Sequence, residues 1–264
     1  MGKLVGGSVM LGSTIQGIFA EYSAVLLEGA VVTLKLLIVS SVCGFVLALP
    51  VSVALSSSRR RWRYPAALFT LVLRGSPLFV QVFLVYYGLP QILTLAYGGI
   101  VAIKASFWWH LLSSPFLLIS IAFVLNMAAY MAEDIRSGLV SLPKGEREAA
   151  IACGMSQMAT LRRIKMPWAL RTMMPILFNE VVLTLKATTL ASTITLRDLL
   201  GAGSMIFART FDMTIYLVLA VFYLIMAGLL TVVFRFIERR FLISHRIANR
   251  SPDQVKPAAI NAKP

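Results

Sequence analysis

Apolar residues in this chain fill whole stretches and do not merely recur on one face. Residues 36–58, 75–103 and 213–234 contain no Asp, Glu, Lys, Arg or His. A helix that crosses the hydrocarbon core of a bilayer needs about 20 mostly apolar residues, at 1.5 Å of rise each. The core of a soluble domain does not require such uninterrupted runs. A membrane β-barrel would instead show short segments of alternating polarity, and these runs lack them. The pattern predicts five spans, at about 24–55, 64–95, 115–132, 168–190 and 212–235. Gly44 and Pro50 lie within the first, where membrane helices tolerate them. Arg74-Gly75-Ser76-Pro77 predicts a break or kink in the second. The fourth is the least apolar, because Glu180 and Lys186 lie in it.

Composition agrees. The 264-residue chain is 58% hydrophobic and 14% charged, whereas soluble domains carry roughly 25% charged residues. The net charge of +14 alone invites a nucleic-acid reading, but long apolar runs interrupt any continuous basic face. No nucleic-acid partner is expected. The basic residues instead cluster at Arg59, Arg60, Arg61 and Arg63, in the block from Lys144 to Lys165, and after Arg235. With five spans these clusters fall on one side. Lys3, Lys104, Arg197 and Arg209 fall on the other. Positive residues favour the cytoplasmic side, so the N-terminus is expected outside and the C-terminus inside. Trp108 and Trp109 are expected as an interfacial anchor in an outer loop, and Arg197, Asp198 and Arg209 in a second outer loop. The N-terminus does not read as a cleavable signal peptide, because Lys3 stands alone before a Gly- and Ser-rich stretch. Cys43 and Cys153 fall at different membrane depths. They are expected as small buried fillers and not as a disulfide.

Between the third and fourth spans stands Glu148-Ala149-Ala150, then three residues, Gly154, nine residues, Ile164, one residue, and Met166-Pro167. This reads as helix, turn, helix. Gly154 suits the position after a helix end, where positive φ is needed. Ser156 suits the N-cap of the next helix, and Pro167 the start of span four. Ala149 and Ala150 have so little side chain that a partner can approach the backbone. A plain hairpin between two membrane helices is the alternative for the motif taken alone.

The full spacing resembles the EAA loop of bacterial ABC importer permeases, with Met166 where that family commonly has Leu. The resemblance extends from about residue 25 to 245. Arg74-Gly75-Ser76-Pro77-Leu78 with Gln81 is similar to the second span of the polar amino acid permeases. Residues from Leu125-Asn126 to Ala132-Glu133 are similar to the third, and Asn179-Glu180 with Leu185-Lys186-Ala187-Thr188-Thr189-Leu190 to the fourth. Pro143-Lys144-Gly145-Glu146 places the likeness nearest the histidine/lysine/arginine/ornithine and opine permeases. Ala187 departs from the acidic residue common in other branches and is assigned no role. The resemblance implies an all-α integral membrane protein of the type I ABC importer permease kind, with a cytoplasmic helix-turn-helix coupling loop at about 143–167. Residues 1–23 form a periplasmic or interfacial segment, 24–245 the permease domain, and 246–264 a disordered tail. It further implies a permease subunit of an ATP-driven importer in the bacterial inner membrane. The cargo would be a polar, basic amino acid or an opine, moved by alternating access. The implied partners are a cytoplasmic ATPase dimer, a second permease subunit, identical or homologous, a periplasmic substrate-binding protein and the lipid bilayer. Glu148, Ala149, Ala150, Gly154, Ile164 and Pro167 would form the ATPase-coupling loop.

The chain has no G-x-x-x-x-G-K-[ST] phosphate loop, no H-E-x-x-H helix and no Cys/His metal spacing. It is expected to be no enzyme and to hold no metal or cofactor, with ATP hydrolysis on a separate subunit. An ionisable residue inside a span costs at least about 2.5–3.5 kcal/mol, so Glu180 is a candidate for the substrate path. Thr184 and Thr188, which share its helical face, and Asn126 and Tyr130, which form a second polar stripe, are candidates for the same path. An internal ion pair of Glu180 with Lys186 or another buried cation is the alternative. Glu133 with Arg136 reads as an ion pair near one end of span three, and Arg74 as a brace for the broken second span. Two other classes remain open on the residues alone: an ion-driven secondary carrier, and a membrane scaffold that transports nothing.

Overall fold

The computed structural model describes residues 2–242, which form helices and turns with no strand. In chain order these are α1 (Gly2–Leu55), α2 (Arg60–Gly75), α3 (Leu78–Ala96), α4 (Ile100–Lys104), α5 (Trp109–Leu112), α6 (Pro115–Val140), α7 (Lys144–Ala152), α8 (Gln157–Thr193), α9 (Leu199–Thr210) and α10 (Thr214–Leu242). Five are long and apolar enough to cross a membrane: α1 over Ala20–Leu55, α3, α6, α8, and α10 over Thr214–Arg240. These are the five expected spans, with altered ends. The tail at 246–264 lies outside the described residues.

The expected second span is two helices. α2 ends at Gly75, Ser76 and Pro77 take extended conformations, and α3 begins at Leu78. Proline disfavours helical geometry in the residue before it, so Pro77 stops α2 at Ser76. With 16 residues, α2 is short of the ~20 needed to cross, and α3 carries the crossing. Span four is longer than expected, because the second short helix of the expected helix-turn-helix runs directly into it. Two five-residue π turns, Leu84–Gly88 and Leu161–Lys165, interrupt α3 and α8. In each, the next residue donates its N–H five residues back, Leu89 to Leu84 and Met166 to Leu161. Pro90 and Pro167 follow. A proline ring collides with the carbonyl four residues earlier and leaves it without a donor. One widened turn relieves the collision without ending the helix.

α6 is the axial helix. Of its apolar window 56% is buried, against 11–33% for the other four. It packs on α1, α8, α2 and α3. Small residues set these distances, as expected where lipid supplies no hydrophobic contrast. A Cβ at Gly138 would lie 2.8 Å from Cα of Ala169 on α8, and one at Gly44 would lie 3.0 Å from Cβ of Met127 on α6. Leu26, Leu37, Leu185, Leu199, Ile215 and Leu219 join α1, α8, α9 and α10 in a second packing centre.

Two expectations need correction. Cys43 is exposed and not a buried filler. It lies on the outward side of α1 beside Val42, with Ile38 and Val46 a turn away. In a membrane span, apolar character does not mark the inward face. Cys153 is also exposed, in the turn after α7. The expected second outer loop is largely helix α9, and the expected first contains α4 and α5, where the ammonium of Lys104 stands 5.4 Å from the centre of the Trp109 ring.

Candidate functional site

The helix-turn-helix between α6 and α8 is closed by local hydrogen bonds. Just after α7, Gly154 takes a φ of +71°. The Gly154 N–H donates to Ile151 O at 2.9 Å, and the Met155 N–H to Ala150 O at 3.0 Å. Together these are the two bonds of a Schellman motif, which satisfies the last carbonyls of a helix and requires a left-handed residue at its centre. Ser156 then caps α8, its Oγ accepting from the Ala159 N–H at 3.3 Å. Glu148, Ala149 and Ile151 are exposed on α7, whereas Ala150 is buried. The two alanines therefore differ: Ala149 is exposed and Ala150 is buried. Ile164 and Pro167 are half-buried at and after the π turn. The exposed turn is thus joined without a break to the helix that carries Glu180. Over the residues from Ser156 to Glu180 that helix rises roughly 35 Å.

Inside the bundle, polar groups from three helices meet around the α2–α3 break. The Gln81 side-chain amide donates to Leu73 O at 2.7 Å and to Ser76 O at 3.0 Å. Asn126 donates to Gln81 Oε1 at 3.0 Å and to Leu73 O at 3.3 Å. These bonds occupy carbonyls that the break leaves without helical partners. The Tyr130 hydroxyl donates to Arg74 O at 3.4 Å, and the Arg74 guanidinium stands 5.2 Å from the centre of the Tyr130 ring. Asn126 and Tyr130 thus brace the broken helix, as Arg74 was expected to do.

Glu180 is half-buried and shares its electrostatic surroundings with Asp134 on α6 and Arg74 on α2. The guanidinium attracts both carboxylates, and the carboxylates repel each other. One oxygen of Asp134 is buried with no hydrogen-bond partner. Among the described residues the single ion pair within 4 Å joins Glu133 to Arg136, as expected. The alternative pair of Glu180 with Lys186 is not formed. Six residues apart they lie on different helix faces, and Lys186 is exposed. Thr184 donates to the sulfur of Met127 at 3.7 Å. Thr188 is fully buried, donates to Leu185 O at 2.6 Å and meets the Tyr223 hydroxyl. The predicted stripe therefore divides: Glu180 and Thr184 remain partly accessible, and Thr188 does not.

Asp134, Gln81 and Asp198 are polar residues that sequence reasoning did not place at sites of their own. Asp198 appeared only as an outer-loop charge. It is fully buried at the N-cap of α9, where it accepts the Gly201 N–H at 2.9 Å, the Leu200 N–H at 3.4 Å and the Tyr223 hydroxyl at 3.4 Å. The Leu199 N–H donates to Thr33 Oγ1 at 3.1 Å. This network ties α9 to α1 and α10. Burial pushes the Asp198 carboxyl up to about 6, against the pull of its hydrogen bonds. The Asp before Leu-Leu-Gly was a legible N-cap signal; its burial was not.

Comparison with known proteins adds a third line of evidence. The model of the family described as "Binding-protein-dependent transport system inner membrane component" matches residues 40–243. The octopine transport system permease protein OccM of Rhizobium meliloti is 42% identical over 188 residues, covering 70% of this chain and 73% of that one. The arginine ABC transporter permease protein ArtM of Haemophilus influenzae is 32% identical over 229 residues, covering 86% and 97%. The crystal structure of an amino acid ABC transporter with histidines superposes with a TM-score of 0.72 at 28% identity, covering 84% of this chain and 96% of that one.

Proposed function

This chain belongs to the family of binding-protein-dependent transport system inner membrane components, and we propose that its cargo is an amino acid with a cationic side chain, or a related opine. It is a multi-pass inner-membrane permease subunit of an ABC importer. In this reading ATP is hydrolysed on a separate pair of cytoplasmic subunits that grip α7. A second permease, identical or homologous, completes the path, and a periplasmic binding protein delivers the cargo. The basic end of the bundle is cytoplasmic, in accord with the positive-inside tendency, with the N-terminus outside and the C-terminus inside.

The observation that carries the substrate class is the group of Glu180, Asp134 and Arg74. With all three ionised, and with Glu133 paired to Arg136, two carboxylates share the field of one guanidinium, which leaves a net charge of −1 in the group. An unpaired charge in such surroundings is costly, and an arriving ammonium or guanidinium supplies the missing counter-charge. Thr184, one turn from Glu180, offers a weaker hydrogen bond. Coupling follows from continuity. Closure of the ATPase pair moves α7, the Schellman turn passes the motion to α8, and α8 carries Glu180 with it. The site thereby alternates between outward and inward access.

The test is uptake by Glu180→Gln in vesicles that hold the assembled transporter, with one cationic and one neutral substrate. The variant keeps the shape and removes the charge. Uptake of the cationic substrate is expected to fall at least ten-fold more than that of the neutral one. Equal losses for both substrates would leave Glu180 a structural residue and remove the support for a cationic cargo.

A further inference from the structure

We propose that the basic end of the bundle holds a site for one anionic phospholipid of the cytoplasmic leaflet. The proposal rests on the orientation given above. Reporter fusions test that orientation separately, so its failure and a failure to bind lipid are distinguishable.

Two cavities meet there. One, of about 630 Å³, is walled mainly by Leu49, Pro50, Val53, Ala54 and Met166, with Arg162 as its one charged side chain. These residues belong to the last turns of the first span and the start of the fourth, so the cavity lies at the edge of the hydrocarbon. The other, of about 930 Å³, opens between the α1–α2 turn and the coupling motif. Arg59, Lys144, Arg147 and Lys165 line it, with Glu148 as its one acid. The two cavities share Val53, Ser57, Trp62, Met158 and Leu161, so they form one groove, apolar at one end and cationic at the other. Trp62 is 57% exposed at the junction, with the Arg61 guanidinium 5.7 Å from its ring centre. Tryptophan and arginine together are typical of the membrane–water boundary.

The gradation selects the occupant. A soluble phosphate needs only the cationic half and leaves the apolar half in contact with water. A zwitterionic lipid fills the apolar half but sets its own ammonium among four cationic side chains. An anionic phospholipid matches both halves, with its phosphate among the basic residues and an acyl chain along Leu49 and Val53. Basic pockets between membrane helices on the cytoplasmic side bind lipid head groups in this way, and each cavity lies within the range of ligand sites.

The experiment is native mass spectrometry of the transporter, purified in detergent with its partner subunits and titrated with phosphatidylglycerol or phosphatidylethanolamine. One phosphatidylglycerol is expected to be retained per copy of this chain, at a concentration at least ten-fold below that needed for phosphatidylethanolamine. The pair Arg59→Gln with Lys165→Gln is expected to abolish the preference, and the charge-preserving pair Arg59→Lys with Lys165→Arg to keep it. Val53→Trp, which fills the apolar half, is expected to weaken retention while the complex stays assembled. Equal retention of both lipids, or an unchanged preference in the Gln pair, overturns the proposal. Displacement of the lipid by millimolar inorganic phosphate overturns it in favour of a free-anion site. Retention only when the ATPase subunits are absent overturns it in favour of a surface that they cover.

Discussion

Gly154 is the position where a single backbone angle is expected to control transport. Its φ of +71° lies in the left-handed region, and no heavy atom outside the turn stands within 4 Å of where a Cβ would be. A side chain there meets open space, so the cost of substitution is that of the backbone conformation itself. That cost is about 1–2 kcal/mol for an L-residue, with the β-branched residues at the upper end. Converted to populations, it moves the turn about 5- to 30-fold away from the observed geometry. Moving away breaks the bonds from Gly154 N to Ile151 O and from Met155 N to Ala150 O, and α7 is then no longer held at a fixed angle to α8. Asn tolerates this region, Ala less and Val least. Uptake per assembled complex is therefore expected to fall in the order Gly, Asn, Ala, Val. Gly154→Val should lose transport while the protein still inserts. The assay is uptake in vesicles, alongside co-purification of the ATPase subunits. Normal uptake with normal co-purification in Gly154→Val would refute the reasoning and with it the coupling role of the loop.

Three further predictions concern topology, packing and pH. A reporter fused after Arg246 is expected to score as cytoplasmic and one near Lys104 as external; the reverse result overturns the orientation. Gly138→Ala puts a Cβ 2.8 Å from the backbone of Ala169 and from Met173, so thermal unfolding should show a loss of about 1–3 kcal/mol. An unchanged melting temperature would mean that α6 and α8 separate without cost. Asp198 is raised by burial from 3.8 to about 6. The folded state therefore holds the proton more tightly than the unfolded chain, and stability falls as pH rises from about 4 to about 6. The loss is at most about 3 kcal/mol. Asp198→Asn keeps an N-cap and should flatten that slope in melting curves; parallel profiles for the two proteins would contradict it.

What could be read from the chain alone was local or one-dimensional. Five apolar runs fix five spans because the bilayer sets a length that each helix must reach. The Pro77 break, the Gly154 turn and the Ser156 cap follow from the φ/ψ limits and hydrogen-bonding habits of single residues. Glu133 and Arg136 pair because three residues along a helix bring side chains together. The tertiary structure decided which faces meet. Hydropathy is a poor guide there, since lipid and protein interior are both apolar, and so Cys43 faces outward while Thr188 is buried. It also decided the partners of the polar groups. Gln81 and Asn126 reach the carbonyl of Leu73 from two other helices, and Asp198 is closed in by Thr33 and Tyr223. Arg74, Asp134 and Glu180 come together from α2, α6 and α8. The approach of α6 to α8 depends on the missing side chain at Gly138, and no periodicity along one helix encodes that.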